Sequence, residues 1–289
     1  MAKALAQRPN WQVYVLGTNE ERGRKAAEEH PSIIFHQGDV SQYQGLATVF
    51  HAIHGQHGRL DYVFANAAAF DRWHFLAQTP TSETFPPEPD TSIMDINYKG
   101  VMYTSYLAIH YFRRSPGGGK DTSLLITGSC GSLYPFVLSP LYSSSKRARS
   151  AFFLFFFLFC SVLVYRVSLL THHAKHRLDA VLGFMRCIAP GCREEGIRVN
   201  ALCPGIVRTS IISEENWDKW FKREHFCPME LIVKVTLLLL DGEEIVDTNN
   251  KRIHPSELYG QTLETSGPNY YLREQPAWSD DIAKCVMTQ

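Results

Sequence analysis

The chain has 289 residues, 45% hydrophobic and 20% charged, with 29 Lys+Arg against 29 Asp+Glu for a formal net charge of +0. This composition suits one soluble α/β domain with a sizeable core, and it removes the electrostatic case for nucleic acid or an anionic membrane surface, leaving small neutral ligands as the better fit. The seven cysteines are odd in number and have no CxxC spacing, so they read as thiols of a reducing compartment and not as a zinc site.

In chain order, Ala2 to Arg8 has the alanine-rich look of a helix end, and Trp11 to Leu16 alternates as a strand does. The opening MAKALAQRPNWQVYV has no charged and apolar regions of a signal peptide, so the cytoplasm is the expected location. Gly17-Thr18-Asn19 ends the first strand, Glu20 to His30 is a polar helix, and Ile33 to Phe35 is a short apolar strand. After Gly38-Asp39-Val40, Asp39 and Ser41 precede a helical pattern, which makes Asp39 a candidate N-cap. Leu60 to Ala65 is a strand running into Asn66-Ala67-Ala68-Ala69, and Phe70 to Pro89, rich in proline, threonine and aromatics, reads as a surface loop. Asp95-Ile96-Asn97 opens a long apolar helix to Phe112, and the strand Leu124 to Thr127 delivers Ser129. Further on, residues 196 to 205 form a strand ending in Pro204-Gly205, Glu230 to Leu240 is a helix, and Tyr259 to Thr265 is the final strand, with an aromatic, irregular tail after Pro268.

The stretch SCGSLYPFVLSPLYSSSK, Ser129 to Lys146, carries the chemistry. Tyr142 and Lys146 stand four residues apart and share a face if the segment is helical, so the ammonium can sit beside the phenol. A free phenol titrates near ~10, and an adjacent fixed cation favours the phenolate, moving it toward use as a general base. The bland reading of such a pair is a surface helix with a solvated lysine.

The order and spacing of Ser129, Tyr142 and Lys146 resemble those of the short-chain dehydrogenase/reductase family, with hydroxyprostaglandin dehydrogenase-like members nearest in look. The Gly-Asp-Val at 38–40, the Asn66-Ala67-Ala68-Ala69 run and the stretch Gly196 to Gly205 are similar to further pieces of that family's pattern. The resemblance implies a Rossmann-like, doubly wound parallel sheet in a single domain over residues 1–289. It also implies oxidation of a secondary alcohol, or reduction of a ketone, by hydride transfer to or from NAD or NADP. Tyr142 would move the hydroxyl proton, Lys146 would lower the tyrosine and bond the nicotinamide ribose, Ser129 would orient the substrate oxygen, and Asn97 would support a water relay. Asp39 and Val40 would meet the adenine, Asn66 and Ala67 would hold the central strand beside the cofactor, and Pro204, Gly205, Val207 and Thr209 would close over the nicotinamide carboxamide. Residues 213 to 225, with Trp217 and Trp220, would be the variable substrate segment. Relatives pair through helices like those near Asn97 and Tyr142, so a homodimer or homotetramer is implied.

The chain also departs from the family pattern. By the resemblance its first strand is the family's second, so the fold is expected to lack its first strand and glycine-rich phosphate loop. Gly17 stands where NAD-preferring relatives carry an acidic residue for the ribose hydroxyl, no arginine sits immediately beside it, and NAD is only slightly favoured over NADP. Directly after Arg147 the helix pattern breaks into residues 148–179, including the uncharged, phenylalanine-rich run 151–165, and then resumes at Ala180. Three readings of the insert stand in order: a translated intron, a genuine hairpin or helix packed on the domain, and a membrane anchor, the last disfavoured because the run is shorter than the ~20 residues of a spanning helix. The second function class is a degenerate, catalytically inactive Rossmann-type protein.

Overall fold

The computed structural model describes residues 1–71, 85, 88–136, 139–147 and 180–287. The insert 148–179 and most of the Phe70–Pro89 loop lie outside the described residues.

A short helix α1 (Ala2–Ala6) leads into β1 (Val13–Gly17), α2 (Glu20–Glu29) and β2 (Ile33–Gln37), and β1 and β2 pair in parallel from Val13↔Ile33 to Gly17↔Gln37. Helix α3 (Tyr43–His57) stops on Gly58, whose φ of 65° is the left-handed conformation that releases the chain from a helix. Then come β3 (Tyr62–Ala65), a rod made of α4 (Ser92–Met94), a π-helical turn (Asp95–Lys99) and α5 (Gly100–Arg114), and β4 (Ser123–Thr127). The helices α6 (Cys130–Leu133), α7 (Pro140–Arg147) and α8 (Ala180–Glu194) precede β5 (Arg198–Cys203), α9 (Glu214–Trp220) and α10 (Met229–Asp241). Two small strands, β6 (Ile245–Val246) and β7 (Arg252–Ile253), form a ribbon, and β8 (Thr262–Ser266), β9 (Asn269–Leu272) and α11 (Asp281–Met287) close the described chain.

The larger sheet has the order β3-β4-β5-β8-β9, parallel except for the final β8–β9 hairpin. Its centre is buried on both faces, which is why every residue of β4 is buried and its middle, Leu124 to Ile126, is continuously apolar instead of alternating. Strand alternation then sorts side chains. Leu124 and Ile126 of β4 join Phe112 of α5 and Leu182 and Met185 of α8 on one side. Leu125 and Leu202 meet Val235 and Leu239 of α10 on the other. The fold is therefore the α/β, doubly wound, mostly parallel arrangement expected from the sequence.

The parallel sheet is interrupted. Among the described residues β1 pairs only with β2, and β3 only with β4, so each keeps a free edge. Both edges border one cavity of about 460 Å³, lined by Val13 to Leu16 on one side, Tyr62 to Ala65 on the other, and apolar side chains such as Leu46 and Phe50. This gap stands where the resemblance puts a further strand.

Several boundaries differ from the sequence expectation. The long helix begins at Ser92 instead of Asp95, and the π-helical turn sits where Asn97 was placed. Gln42, not Asp39, holds the N-cap position of α3, while the Asp39 carboxylate accepts from the Ser41 N–H at 2.8 Å and closes the turn before it. The tail after Pro268 is not irregular at its start: β9 folds back on β8 through Gly267 at φ 52°, and Tyr270 and Tyr271 are ladder residues. Nearby, burial acts to raise the Asp247 carboxyl, and the N–H groups of Leu272, Lys251 and Asn249, with the Lys251 charge, more than offset it and hold the group low.

Candidate active site

The parallel strands deliver their carboxyl ends to one edge, the place where open α/β sheets bind ligands. Ser129 leaves β4 there and caps α6, its Oγ accepting from the Gly131 N–H at 3.0 Å. The loop after β5 is held beside it by Cys130 N–H donating to the Pro204 carbonyl at 2.8 Å. A side chain on Gly205 would come within 2.6 Å of the Thr265 carbonyl oxygen, so only glycine lets this loop lie against the end of β8. Trp217 is buried and donates its indole N–H to the Thr209 carbonyl at 2.9 Å, tying α9 to the same loop.

Helix α7 brings Tyr142 and Lys146 to this edge on successive turns. Lys146 is completely buried, and its Nζ donates to the Thr127 carbonyl of β4 at 2.9 Å. Burial pushes the amine down to about 8. Tyr142 keeps part of its ring open, but its oxygen end is enclosed. Burial pushes the phenol up to about 12, the neighbouring Ser129 hydroxyl draws it back, and Cys130, Cys203 and Asp71 add to the rise. Both groups are thus shifted first by loss of water, each toward its neutral form. In the ligand-free chain the hydroxyl of Ser129, and not the ammonium, is the group acting to lower the phenol.

Asn97 has no exposed surface. Its Oδ1 accepts from Ala69 N–H at 2.8 Å, and its Nδ2 donates to the Ala69 carbonyl and to Ser145 Oγ, both at 2.9 Å. Ser145 in turn donates to the Tyr142 carbonyl at 2.7 Å. Asn97 therefore pins the loop after β3 to the helix carrying the tyrosine, and the π-helical turn widens the helix at that point, as such turns do at functional sites. Ser145 escaped the sequence reading because a serine within a run of three carries no spacing signature. Asp71 escaped it too, although its Oδ2 accepts from Leu141 N–H at 3.2 Å next to the tyrosine.

The remaining candidates line the same edge. Asn66 and Ala67 are exposed just past β3, and Thr127 Oγ1 donates to Asn66 Oδ1 at 2.9 Å. Val40 packs on Gly100, where a side chain would clash at 2.6 Å. Val207 is half-buried and Thr209 exposed in the loop after β5. At this end the residues fit a nicotinamide ribose and carboxamide. The phosphate end does not fit among the described residues. β1 runs into Asn19, whose side chain is already bonded to Arg22 N–H, and the first turn of α2 carries Glu20 and Glu21, which repel an anion. Gly17 offers no side chain to a ribose hydroxyl, and the nearby guanidinium groups are engaged, Arg22 with Ser210 and Arg24 with Glu20.

Tyr142, a buried lysine and Ser129 thus stand together at the carboxyl edge of a parallel α/β sheet. A family model for short chain dehydrogenases matches residues 1–155. The chain is 39% identical to the short-chain dehydrogenase/reductase prx7 of Penicillium rubens over 99% of its own length and 93% of that protein's. It is 32% identical to prx6 of the same organism over 74% of this chain and 62% of that one. It is also 23% identical to human 15-hydroxyprostaglandin dehydrogenase [NAD(+)] over 70% and 60% of the two chains. The chain belongs to the short-chain dehydrogenase/reductase family. It is an oxidoreductase of that family acting on a small molecule, and the family's cofactors are NAD(P). Among the described residues no helix is long and apolar enough to cross a membrane.

Proposed function

We propose that the protein interconverts a secondary alcohol and the corresponding ketone, with Tyr142 as the proton-transferring group, Ser129 orienting the substrate oxygen, and Lys146 and Asn97 holding that arrangement. A nicotinamide held at this edge would supply the chemistry of accepting or returning the hydride. The observation that carries the reading is the contact of the Tyr142 phenol with the Ser129 hydroxyl, on the helix that also carries the buried Lys146, whose Nζ is 2.9 Å from the Thr127 carbonyl.

In the reducing direction the neutral phenol gives its proton to the oxygen as negative charge develops there, and the Ser129 hydroxyl donates to the same oxygen. In the oxidising direction the same transfer runs backward: Tyr142 first gives up its own proton to solvent, and the resulting phenolate oxygen takes the carbinol proton. Lys146 uses one of its three N–H bonds on Thr127 and would offer the other two to a ribose hydroxyl, Asn66 and Ala67 would hold the central strand beside the cofactor, and Pro204, Gly205, Val207 and Thr209 would close over the carboxamide. Asp39 and Val40 stand at the end of β2 for the adenine. NAD is slightly favoured over NADP, because among the described residues Arg22 and Arg24, the guanidinium groups near Gly17, are engaged with Ser210 and Glu20.

Titrating the protein with NADH by fluorescence or calorimetry tests the reading together with the Tyr142→Phe variant. Saturable binding, with turnover lost by about a hundredfold or more in the variant, is expected from removal of a general acid-base group. Absence of binding would favour the inactive alternative, and full activity in Tyr142→Phe would remove the assigned proton carrier.

A further inference from the structure

Four separate segments bring aromatic rings into one row that starts at the reacting phenol. Phe70, from the loop after β3, has its ring centroid 5.0 Å from Tyr142 and 6.3 Å from Phe136. Phe136, between α6 and α7, lies 6.4 Å from Phe221, just past α9. Phe221 then meets Trp217 at 5.9 Å and Phe226 at 6.3 Å, and Trp217 meets Phe226 at 5.8 Å. All these separations fall within the range of favourable ring pairs.

The row has a fixed anchor and open rings. Trp217 is the buried member and is bonded to the loop after β5, whereas Phe70, Phe136, Phe221 and Phe226 are each only half-buried. At its far end Arg208 lies over the Phe226 ring at 5.0 Å and is paired with Glu214 and Asp218. Among the described residues the middle of the row, Phe70, Phe136 and Phe221, offers a substrate apolar area, while its polar groups stand at the two ends: Tyr142, Ser129 and the Asp71 carboxylate at the reacting end and the paired Arg208 at the other.

We propose that the substrate of this site is a hydrophobic secondary alcohol or ketone whose apolar body, aliphatic or ring-shaped, lies along Phe70, Phe136 and Phe221. The inference rests on the carbonyl-alcohol reading of Tyr142 and adds the class of compound. It also assigns Phe136 and Phe221 as specificity-determining residues.

The test uses the full chain with NAD and the series 2-butanol, 2-hexanol and 2-octanol, with a polyol of comparable length as the polar control. Each added methylene should raise kcat/KM by about threefold to fourfold, the ratio that corresponds to ~0.8 kcal/mol per buried CH2. The polyol should be turned over less well than 2-butanol. Phe221→Leu keeps apolar surface and should keep most of the increment, whereas Phe221→Asn, with the same branching and number of side-chain heavy atoms as the leucine variant but a polar end, should reduce it toward one. Calorimetric binding of 2-octanone to wild type and to both variants gives a readout that does not depend on turnover. If no alcohol is oxidised but 2-octanone binds and Phe221→Asn weakens that binding at least tenfold, the catalytic reading fails and the apolar site stands. A flat chain-length series, a preference for the polyol, or 2-octanone binding that is absent or indifferent to Phe221→Asn overturns the inference.

Discussion

Replacing Lys146 by methionine isolates the free energy stored in a completely buried ammonium. Below pH 8 the amine is charged in both the folded and the unfolded chain, and the folded state carries the whole cost of burying it. The distance between about 8 in the folded chain and the ordinary 10.5 corresponds to about 3 kcal/mol. Between pH 8 and 10.5 the unfolded chain binds more protons than the folded one, so the sign is positive: wild-type stability rises with pH and the penalty fades. Methionine removes the penalty but leaves the Thr127 carbonyl without its donor, a loss of about 1–3 kcal/mol. At pH 7 the variant should therefore equal wild type or exceed it by up to about 2 kcal/mol. From pH 7 to 9.5 wild type should gain about 2 kcal/mol on it. Urea denaturation of both proteins at half-unit pH steps measures the difference, in which contributions from all other groups cancel. A difference that does not change with pH, or a variant less stable than wild type by more than 2 kcal/mol at pH 7, would refute the reasoning. Stopping at 9.5 keeps the comparison below the pH at which Tyr142, held up by burial, begins to lower stability as the unfolded phenol ionises.

Three further outcomes follow from the same structure. Asn97→Ala should cost about 3 kcal/mol, because it leaves both backbone groups of Ala69 and the Ser145 hydroxyl without their buried partner; a loss below 1 kcal/mol in urea would show that the pin is dispensable. Since burial lifts the Tyr142 phenol to about 12, a difference ultraviolet titration of ligand-free wild type against Tyr142→Phe should show no phenolate from this residue below pH 10. Phenolate appearing by pH 8 would mean that the oxygen is hydrated or sits beside a cation. Deleting 148–179 to join Arg147 to Ala180 should leave a folded protein with an unchanged or higher Tm, because α7 and α8 are already in contact. A deletion variant that fails to unfold cooperatively would show that the segment is an integral part of the domain.

Short-range features were legible in the sequence because they follow from backbone periodicity. The strand at 123–127, the helix at 229–241 and the four-residue step from Tyr142 to Lys146 all depend on neighbours within a turn or two, so pattern alone finds them. Strand β9 was missed since its Asn-Tyr-Tyr-Leu text becomes a ladder only against β8. The gap between β1 and β3 could be anticipated only through family resemblance, and no residue pattern shows that two strand edges face one cavity.

At the site, residue types and order came from the sequence, and the physical state of each group came from packing. Nothing local to Lys146 says that it is dehydrated on the Thr127 carbonyl, nineteen positions upstream. Asn97 likewise finds Ala69 and Ser145 only once a helix, a loop and a second helix converge. The aromatic row draws on residues from 70 to 226, whose common feature is contact in space. Sequence by itself determined which chemistry was available to this protein, through the identity and spacing of Ser129, Tyr142 and Lys146. Tertiary structure alone decided which groups lose their water, which partners they bond, and what surface lies beside the reacting oxygen, because burial and long-range contact belong to the whole chain and not to any stretch of it.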